Sequence, residues 1–202
     1  MRALVLGARG AVGAAASAAL RGQGHEVIGA GRRALDDGVR IDARTSAGLT
    51  RLAEEARRVD VVLDASGLEL ASVQAAVGST PLVDVSATAA HLERLAEGVP
   101  AGGATLLGAG IAPGLSTVLI RALNPAPGDE IDLAVVLGAG EAHGAAALDW
   151  TVRLAGATLH AAPETNPVVN FRTRRQLPLP GAKPRTHLRA DFPDDLLIGR
   201  PS

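Results

Sequence analysis

A run of spaced glycines near the start of the chain constrains the fold more than any other feature. The run reads Gly7-Ala8-Arg9-Gly10-Ala11-Val12-Gly13 and lies between an apolar segment, Arg2–Leu6, and an alanine-rich segment at residues 11–21. The first segment is typical of a buried strand and the second of a helix. Glycines at such a turn let a diphosphate approach the N–H groups at the positive end of the helix dipole. The pattern therefore predicts a dinucleotide-binding loop, with a plain tight turn as the alternative, and its contact residues are Gly7, Arg9, Gly10, Ala11, Val12 and Gly13.

Short apolar runs alternate with helical runs through the first 124 residues. Strands are predicted at residues 2–6, 26–30, 39–42, 59–63, 81–85 and 104–107. Helices are predicted at residues 11–21, from Thr45 or Ser46 to Arg58, and at 68–77, 87–97 and 115–123. Such alternation is typical of a parallel sheet covered on both faces. The sequence therefore predicts an α/β fold, a Rossmann domain with a doubly wound parallel sheet.

A proline- and glycine-rich segment, Asn124-Pro125-Ala126-Pro127-Gly128, interrupts this pattern. It places a domain boundary between a dinucleotide-binding domain at residues 1–124 and a partial α+β domain at 129–202, which would serve substrate binding or dimerisation. In the second part we expect a strand at 130–137, a helix at 145–156 and a strand at 168–173, with little regular structure after Arg174. An exposed apolar strand there would need a partner surface, so a homodimer is plausible.

The end of the second predicted strand carries two arginines where a NAD enzyme usually carries an acid. About 20 residues past the glycine loop, Asp or Glu normally hydrogen-bonds the ribose 2′-hydroxyl of NAD. This chain has Gly31-Arg32-Arg33 instead, and guanidinium groups suit a 2′-phosphate. The position predicts a preference for NADP(H), with NAD(H) as the second choice. The alternative is that Arg32 and Arg33 are solvated turn residues.

Small and polar residues follow the next strands, at the edge of the sheet where ligands bind. Asp42 ends the third strand and is expected either near the adenine or as a cap of the next helix. Ala65, Ser66 and Gly67 follow the fourth strand, where small residues would let the nicotinamide ribose pass close to the backbone. A plain turn in which Ser66 caps a helix is equally consistent with that segment.

Two residues are candidates for proton transfer. Asp84 ends the fifth strand, and His143 lies in a glycine-rich loop at residues 138–144 whose imidazole could relay a proton. A surface-loop histidine is the favoured alternative for His143. The segment Pro113-Gly114 would present another helix N-terminus to the same crevice, or simply start a helix.

The absence of certain residue types from the sequence excludes several classes of protein and site. The chain has no cysteine, which excludes disulfides and zinc thiolate sites and fits a cytoplasmic location. It has no tyrosine, so the Tyr-x-x-x-Lys pair of short-chain dehydrogenases cannot form. The histidines lack metal spacing, which predicts no metal site. A net charge of −1 gives no reason to expect nucleic acid, and no run of about 18 apolar residues predicts a membrane helix.

Four ordered motifs resemble the saccharopine dehydrogenase-like family of NAD(P)-binding oxidoreductases. They are GARGAVG at residues 7–13, VVLDASG at 61–67, PLVDVSA at 81–87 and GAGIAPGLS at 108–116. The resemblance implies a Rossmann domain followed by an α/β substrate domain, with redox chemistry on a C–N bond of an amino-acid-like compound. Chains of that family normally continue further, so this chain is expected to be C-terminally short.

Two functions follow as expectations. The first is an NADP(H)-dependent oxidoreductase that transfers a hydride to or from a C–N or C–O bond of a small amino-acid-like substrate, the protein supplying mainly position and exclusion of water. The second is a non-catalytic NADP(H)-binding sensor or interaction module, which the absence of tyrosine favours.

Overall fold

Six short segments form one parallel sheet in the computed structural model, which describes residues 1–33, 38–126, 128–136, 145–160 and 164–199. The sheet order is β3-β2-β1-β4-β5-β6, and every pair of neighbours is parallel. The chain thus builds outward from β1 in one direction and then returns past it to build in the other. This order confirms the predicted Rossmann architecture. The strands are β1 Arg2–Leu6, β2 Glu26–Gly31, β3 Val39–Arg40, β4 Val61–Asp64, β5 Leu82–Asp84 and β6 Thr105–Leu106.

Five helices alternate with these strands, as the hydrophobic pattern predicted. Strand β1 lies at the centre, and its residues Ala3, Leu4, Val5 and Leu6 are almost fully buried, as expected of a parallel strand covered on both faces. The core around it includes Leu52 from the second helix and Val62 from β4. The helices are α1 Ala11–Gly22, α2 Ser46–Ala56, α3 Ala71–Val77, α4 Ala89–Glu97 and α5 Leu115–Ala122.

The second part of the chain differs from the prediction. The described residues 130–136 are not a strand, because they pair with no neighbouring strand. Residues 168–173 hold only one isolated bridge, Thr158 to Val169, and the positive φ of Phe171, 61°, ends the extended run. The predicted helix at 145–156 is confirmed as α6, Ala145–Leu154. Further regular structure follows in the segment after residue 173: β7 Arg174–Leu179, β8 Ala182–Leu188 and α7 Asp194–Gly199.

Strands β7 and β8 form an antiparallel hairpin in the segment that was expected to be irregular. Its prolines, Pro178 and Pro184, are tolerated because a two-stranded sheet has only edge strands. Gly181, with φ 69°, takes the left-handed conformation in the turn. Among the described residues, no helix is long and apolar enough to cross a membrane.

Candidate functional site

The glycine loop follows β1 directly and is hydrogen-bonded to the end of β2. The N–H groups of Gly7 and Ala8 both donate to the carbonyl oxygen of Ala30 at the end of β2, at 2.8 and 3.2 Å. Gly10 donates to the carbonyl oxygen of Gly7 at 2.8 Å and is the N-cap of α1, with no side-chain cap. The N–H groups of the first helical turn have no carbonyl partner within a helix. The loop therefore presents backbone donors at a helix N-terminus, as a diphosphate requires.

The three positions of the motif require glycine for different structural reasons. A Cβ on Gly7 would lie 2.5 Å from the carbonyl oxygen of Ala65, and a Cβ on Gly13 would collide with the carbonyl group of Gly7. Both positions therefore allow backbone segments to pack closely. A Cβ on Gly10 would meet nothing nearer than the Gly7 oxygen, at 3.3 Å. Gly10 is the glycine whose missing side chain leaves open space on the ligand side of the loop.

A cavity of about 570 Å³ lies over this loop at the carboxyl edge of the sheet. Its volume falls within the range of about 300–1,000 Å³ that is usual for small-molecule sites. Its position between β1 and β4, where the strand order reverses, is where dinucleotides bind in such sheets. The walls come from the glycine loop, the end of β2, the segment after β3 and the segment after β4. The lining residues are Leu6, Gly7, Arg9, Gly10, Ala11, Val12, Gly31, Arg32, Arg33, Ile41, Ala43, Arg44, Ala65, Ser66 and Leu68.

Four arginines line the cavity, and none of the described lining residues is acidic. They are Arg9, Arg32, Arg33 and Arg44. The side chains of Arg32, Arg33 and Arg44 are exposed at the mouth. Guanidinium groups bind phosphate through paired hydrogen bonds as well as charge. The backbone donors, the bare Gly10 position and this donor set together fit the anionic phosphate groups of a dinucleotide.

Most of the residues predicted to contact the cofactor line this cavity, but Gly13, Asp42 and Gly67 do not. Asp42 lies beyond the end of β3, and its carboxylate accepts the N–H of Arg44 at 3.2 Å. Thr45, not Asp42, caps α2 by accepting the N–H of Gly48 at 3.0 Å. The helix-cap role predicted for Asp42 is therefore wrong, because its side chain and carbonyl group shape the turn before α2. Its predicted place near the adenine stays a prediction.

Ser66 forms a turn rather than a helix cap. Its N–H donates to Asp64 at 2.9 Å and its hydroxyl accepts the N–H of Leu68 at 3.3 Å, whereas α3 begins later, with Leu70 as its N-cap. Burial raises the pKa of the Asp64 carboxyl, with the hydrogen bonds from Ser66 opposing that shift. The turn holds Ala65 and Ser66 against the cavity.

Asp84 lies inside the protein beside Asp64, its register partner on β4. Only 2% of Asp84 is exposed, and its carboxylate accepts the N–H of Ser86 at 2.8 Å. The other oxygen lies 3.6 Å from Nε2 of His91, which is itself buried. These contacts favour a positioning role for Asp84 over direct contact with a substrate. The second catalytic candidate, His143, lies outside the described residues.

Three features of the site region were not predicted from the sequence. Arg44 lines the cavity, and the sequence indicates this only through its position shortly after β3, the strand that pairs with β2. Glu69 has a positive φ of 50° and accepts a hydrogen bond from the Thr88 hydroxyl at 2.6 Å, which joins the segments that follow β4 and β5. No local signal indicates that second contact, because 19 residues separate its partners.

The third feature joins the end of the described chain to α5. The carboxylate of Asp194 accepts hydrogen bonds from the hydroxyls of Ser116, at 2.5 Å, and Thr117, at 2.7 Å. Arg121 donates to the carbonyl oxygens of Leu197 and Ile198. Residues beyond the predicted domain boundary thus pack against the last helix of the first domain.

Comparison with known families identifies the class of protein. The model of the NAD dependent epimerase/dehydratase family matches residues 3–104, which include the glycine loop and, apart from Arg2, the strands β1 to β5. The chain belongs to this family. The cofactor class is therefore a nicotinamide dinucleotide, and the match supports an NAD(P)-binding Rossmann oxidoreductase rather than the saccharopine dehydrogenase-like family in particular.

Solved structures with partial likeness cover less than half of the chain. Protein lin1944 from Listeria innocua is 20% identical over 41% of this chain and 54% of its own, with a TM-score of 0.33. The 3-alpha-hydroxysteroid dehydrogenase from Pseudomonas sp. B-0831, complexed with NADH, is 23% identical over 48% and 52%, with a TM-score of 0.36. A short-chain dehydrogenase/reductase superfamily protein from Agrobacterium tumefaciens with bound NAD is 24% identical over 43% and 33%, with a TM-score of 0.33. The matched part thus spans from a third to just over half of these chains. No curated protein matches the chain.

Proposed function

We propose that the chain binds NADP(H) in preference to NAD(H) and acts as an NADP(H)-dependent oxidoreductase. The observation that carries the proposal is the cavity wall at the end of β2, where Arg32 and Arg33 replace the acid that would bind a ribose 2′-hydroxyl. Because the described lining residues include arginines and no acid, the wall favours an added phosphate over a bare hydroxyl. The finer assignment, hydride transfer at a C–N or C–O bond of a small amino-acid-like substrate, stays a prediction supported by the four sequence motifs.

Each wall of the cavity has a role in holding the cofactor. The first turn of α1 would bind the diphosphate through backbone N–H groups, with Gly10 leaving room for it. Ile41, Ala43 and Leu68 supply apolar surface that suits an adenine ring. Ala65 and Ser66 allow the nicotinamide half to pass close to the end of β4. The bound cofactor supplies the hydride chemistry, and these residues supply its position.

The proton donor in such a reaction is not a tyrosine of this chain, because the sequence contains none. Asp84 and His143 remain the predicted candidates. Because Asp84 is buried against His91 and the N–H of Ser86, it is better placed to order the end of β5 than to touch a substrate.

A non-catalytic NADP(H)-binding module is the second candidate function. Two observations favour it, namely the absence of tyrosine from the chain and the burial of the Asp84 carboxylate. It shares the cofactor proposal and differs only in the chemistry. A screen of imines and keto acids with NADPH separates the two: turnover supports the enzyme, and tight binding without oxidation across the screen supports the module.

The cofactor proposal is tested by calorimetric titration of the wild-type chain with NADPH and NADH. The variant Arg32→Ala/Arg33→Ala should weaken NADPH binding by roughly 10- to 100-fold, because each lost charge-assisted hydrogen bond is worth about 1.5–3 kcal/mol before solvent screening. NADH binding should change by less than about threefold.

Arg40→Ala is the matched control, since Arg40 is exposed on β3 and does not line the cavity. It should leave both affinities near wild type. An equal loss for NADPH and NADH in the double variant would remove the argument for 2′-phosphate recognition, and failure of the wild type to bind either nucleotide would defeat both candidate functions.

A further inference from the structure

We propose that Arg44 is a third cation for the ribose 2′-phosphate and that it determines cofactor specificity together with Arg32 and Arg33. The inference rests on the proposed preference for NADP(H). It assigns a role to a residue outside the β2 turn where specificity was sought from the sequence. The juxtaposition that carries it is the meeting of the ends of β2 and β3 on one wall of the cavity.

The register of β2 and β3 places the arginines together. Ala30 pairs with Val39 and Gly31 with Arg40, so the two parallel strands end side by side. The N–H of Ile41 donates to the carbonyl oxygen of Gly31 at 2.9 Å, which continues the pairing past the last ladder position. Arg32 and Arg33 follow β2 directly, and Arg44 follows this extension of β3, with all three lining the cavity.

The backbone that carries Arg44 is held rigidly. Its N–H donates to the carboxylate of Asp42 at 3.2 Å, and both the N–H and the hydroxyl of Thr45 donate to the Asp42 carbonyl oxygen at 3.0 Å. A Cβ on Gly48 would collide with that carbonyl group, so the first turn of α2 abuts the Asp42 turn directly. Because the turn is already ordered, a ligand that meets Arg44 loses less binding energy to backbone ordering.

Charge balance around the cavity also favours an anion at this position. Some exposed arginines elsewhere in the first part of the chain have acidic partners: Arg51 lies 3.1 Å from Glu54 and 2.7 Å from Glu55, and Arg2 lies 2.9 Å from Glu26. Within the described part of the chain, no ion pair is found for the guanidinium of Arg32, Arg33 or Arg44. Like charges at one cavity mouth repel each other until an anion lies between them.

An adenine contact is the competing role for Arg44, since a guanidinium can stack on an aromatic ring. The two roles differ in a measurable way. The adenine is common to NADPH and NADH, whereas the 2′-phosphate belongs to NADPH alone. A stacking role would therefore weaken both nucleotides equally, and a phosphate role would weaken only one.

The test compares Arg44→Ala with Arg40→Ala in titrations of the whole chain with NADPH and NADH. Arg40 is an exposed arginine four residues earlier that does not line the cavity, so the two variants have the same net charge. Arg44→Ala should weaken NADPH binding by about 10-fold or more and NADH binding by less than about threefold, and Arg40→Ala should change neither by more than about threefold. Adenosine 2′,5′-bisphosphate and 5′-AMP serve as probes without a nicotinamide, and only the former should lose affinity.

Two further measurements keep the result interpretable. The variant Arg44→Lys keeps the charge but loses the paired hydrogen bonds, and it should recover only part of the affinity. The slope of log Kd for NADPH against log salt concentration should become shallower in Arg44→Ala, because one cation fewer meets the phosphate. The thermal unfolding of each variant without nucleotide reports whether the chain is folded.

Each outcome decides the inference separately from the proposed function. Equal losses for NADPH and NADH, or no loss for either, would overturn the role of Arg44. If the wild type prefers NADPH and Arg32→Ala/Arg33→Ala abolishes that preference while Arg44→Ala keeps it, only the present inference fails. A wild-type chain without preference for NADPH would overturn both.

Discussion

Replacing Gly10 by valine should greatly weaken dinucleotide binding while leaving the fold intact. Gly10 is the N-cap of α1, with φ −73°, a conformation that any residue can adopt. Its Cβ would approach the Gly7 oxygen at 3.3 Å and otherwise project into the cavity it lines. The added side chain therefore occupies the space through which a diphosphate would reach the N–H groups of the first helical turn.

The two expected free-energy changes differ in size. Valine is a poorer N-cap than glycine and meets one close contact, so the free energy of unfolding should fall by about 1–2 kcal/mol. A domain stability of about 5–15 kcal/mol tolerates that loss. Two or more charge-assisted hydrogen bonds to the diphosphate would be lost, at about 1.5–3 kcal/mol each. The dissociation constant should accordingly rise by roughly 10²- to 10⁴-fold.

The assay pairs calorimetric titration of NADPH with urea unfolding monitored by far-UV circular dichroism. Gly13→Ala is the contrasting variant, because its methyl group would collide with the backbone of Gly7 rather than enter the cavity. It should lower the free energy of unfolding by about 1–3 kcal/mol or more. Unchanged NADPH affinity in a folded Gly10→Val chain would refute the assignment of the loop, and so would a Gly10→Val chain that loses more stability than Gly13→Ala.

Two further predictions concern buried acids. Burial raises the pKa of Asp64 above its ordinary 3.8, so ionisation of this carboxyl should lower the free energy of unfolding as pH rises through the raised value. Asp64→Asn can still accept the Ser66 N–H and has no such ionisation, so its stability relative to wild type in urea unfolding should be greater at pH 7 than at pH 4. An equal difference at both pH values would contradict this. Asp194→Ala removes the acceptor of two hydroxyls, on Ser116 and Thr117, and should lower the free energy of unfolding by about 2–4 kcal/mol. Asp194→Asn should keep most of that stability, and a loss as large as that of Asp194→Ala would point away from hydrogen bonding as the cause.

The sequence by itself determined the sheet and the loop. Runs such as Arg2–Leu6 and Val61–Asp64 are apolar because a parallel strand is buried on both faces, a requirement that leaves a local pattern. The glycine spacing is also mainly a local requirement, because a Cβ on Gly10 or Gly13 would meet the backbone of Gly7. Gly7 is the exception, because its close neighbour is Ala65 at the end of β4. These features confirmed the predicted Rossmann fold.

Only the tertiary structure decided which side chains meet at the cavity and how the chain continues after α5. Arg44 joins Arg32 and Arg33 because β2 and β3 end side by side, and the buried Asp84 at the end of an internal strand lies beside His91 on α4. The β7–β8 hairpin could not be predicted because its prolines interrupt the alternating pattern of a strand. The contact of Asp194 with α5 could not be predicted because its partners are remote in sequence. Periodicity reports the environment of one segment at a time, whereas these contacts depend on the packing of several segments together.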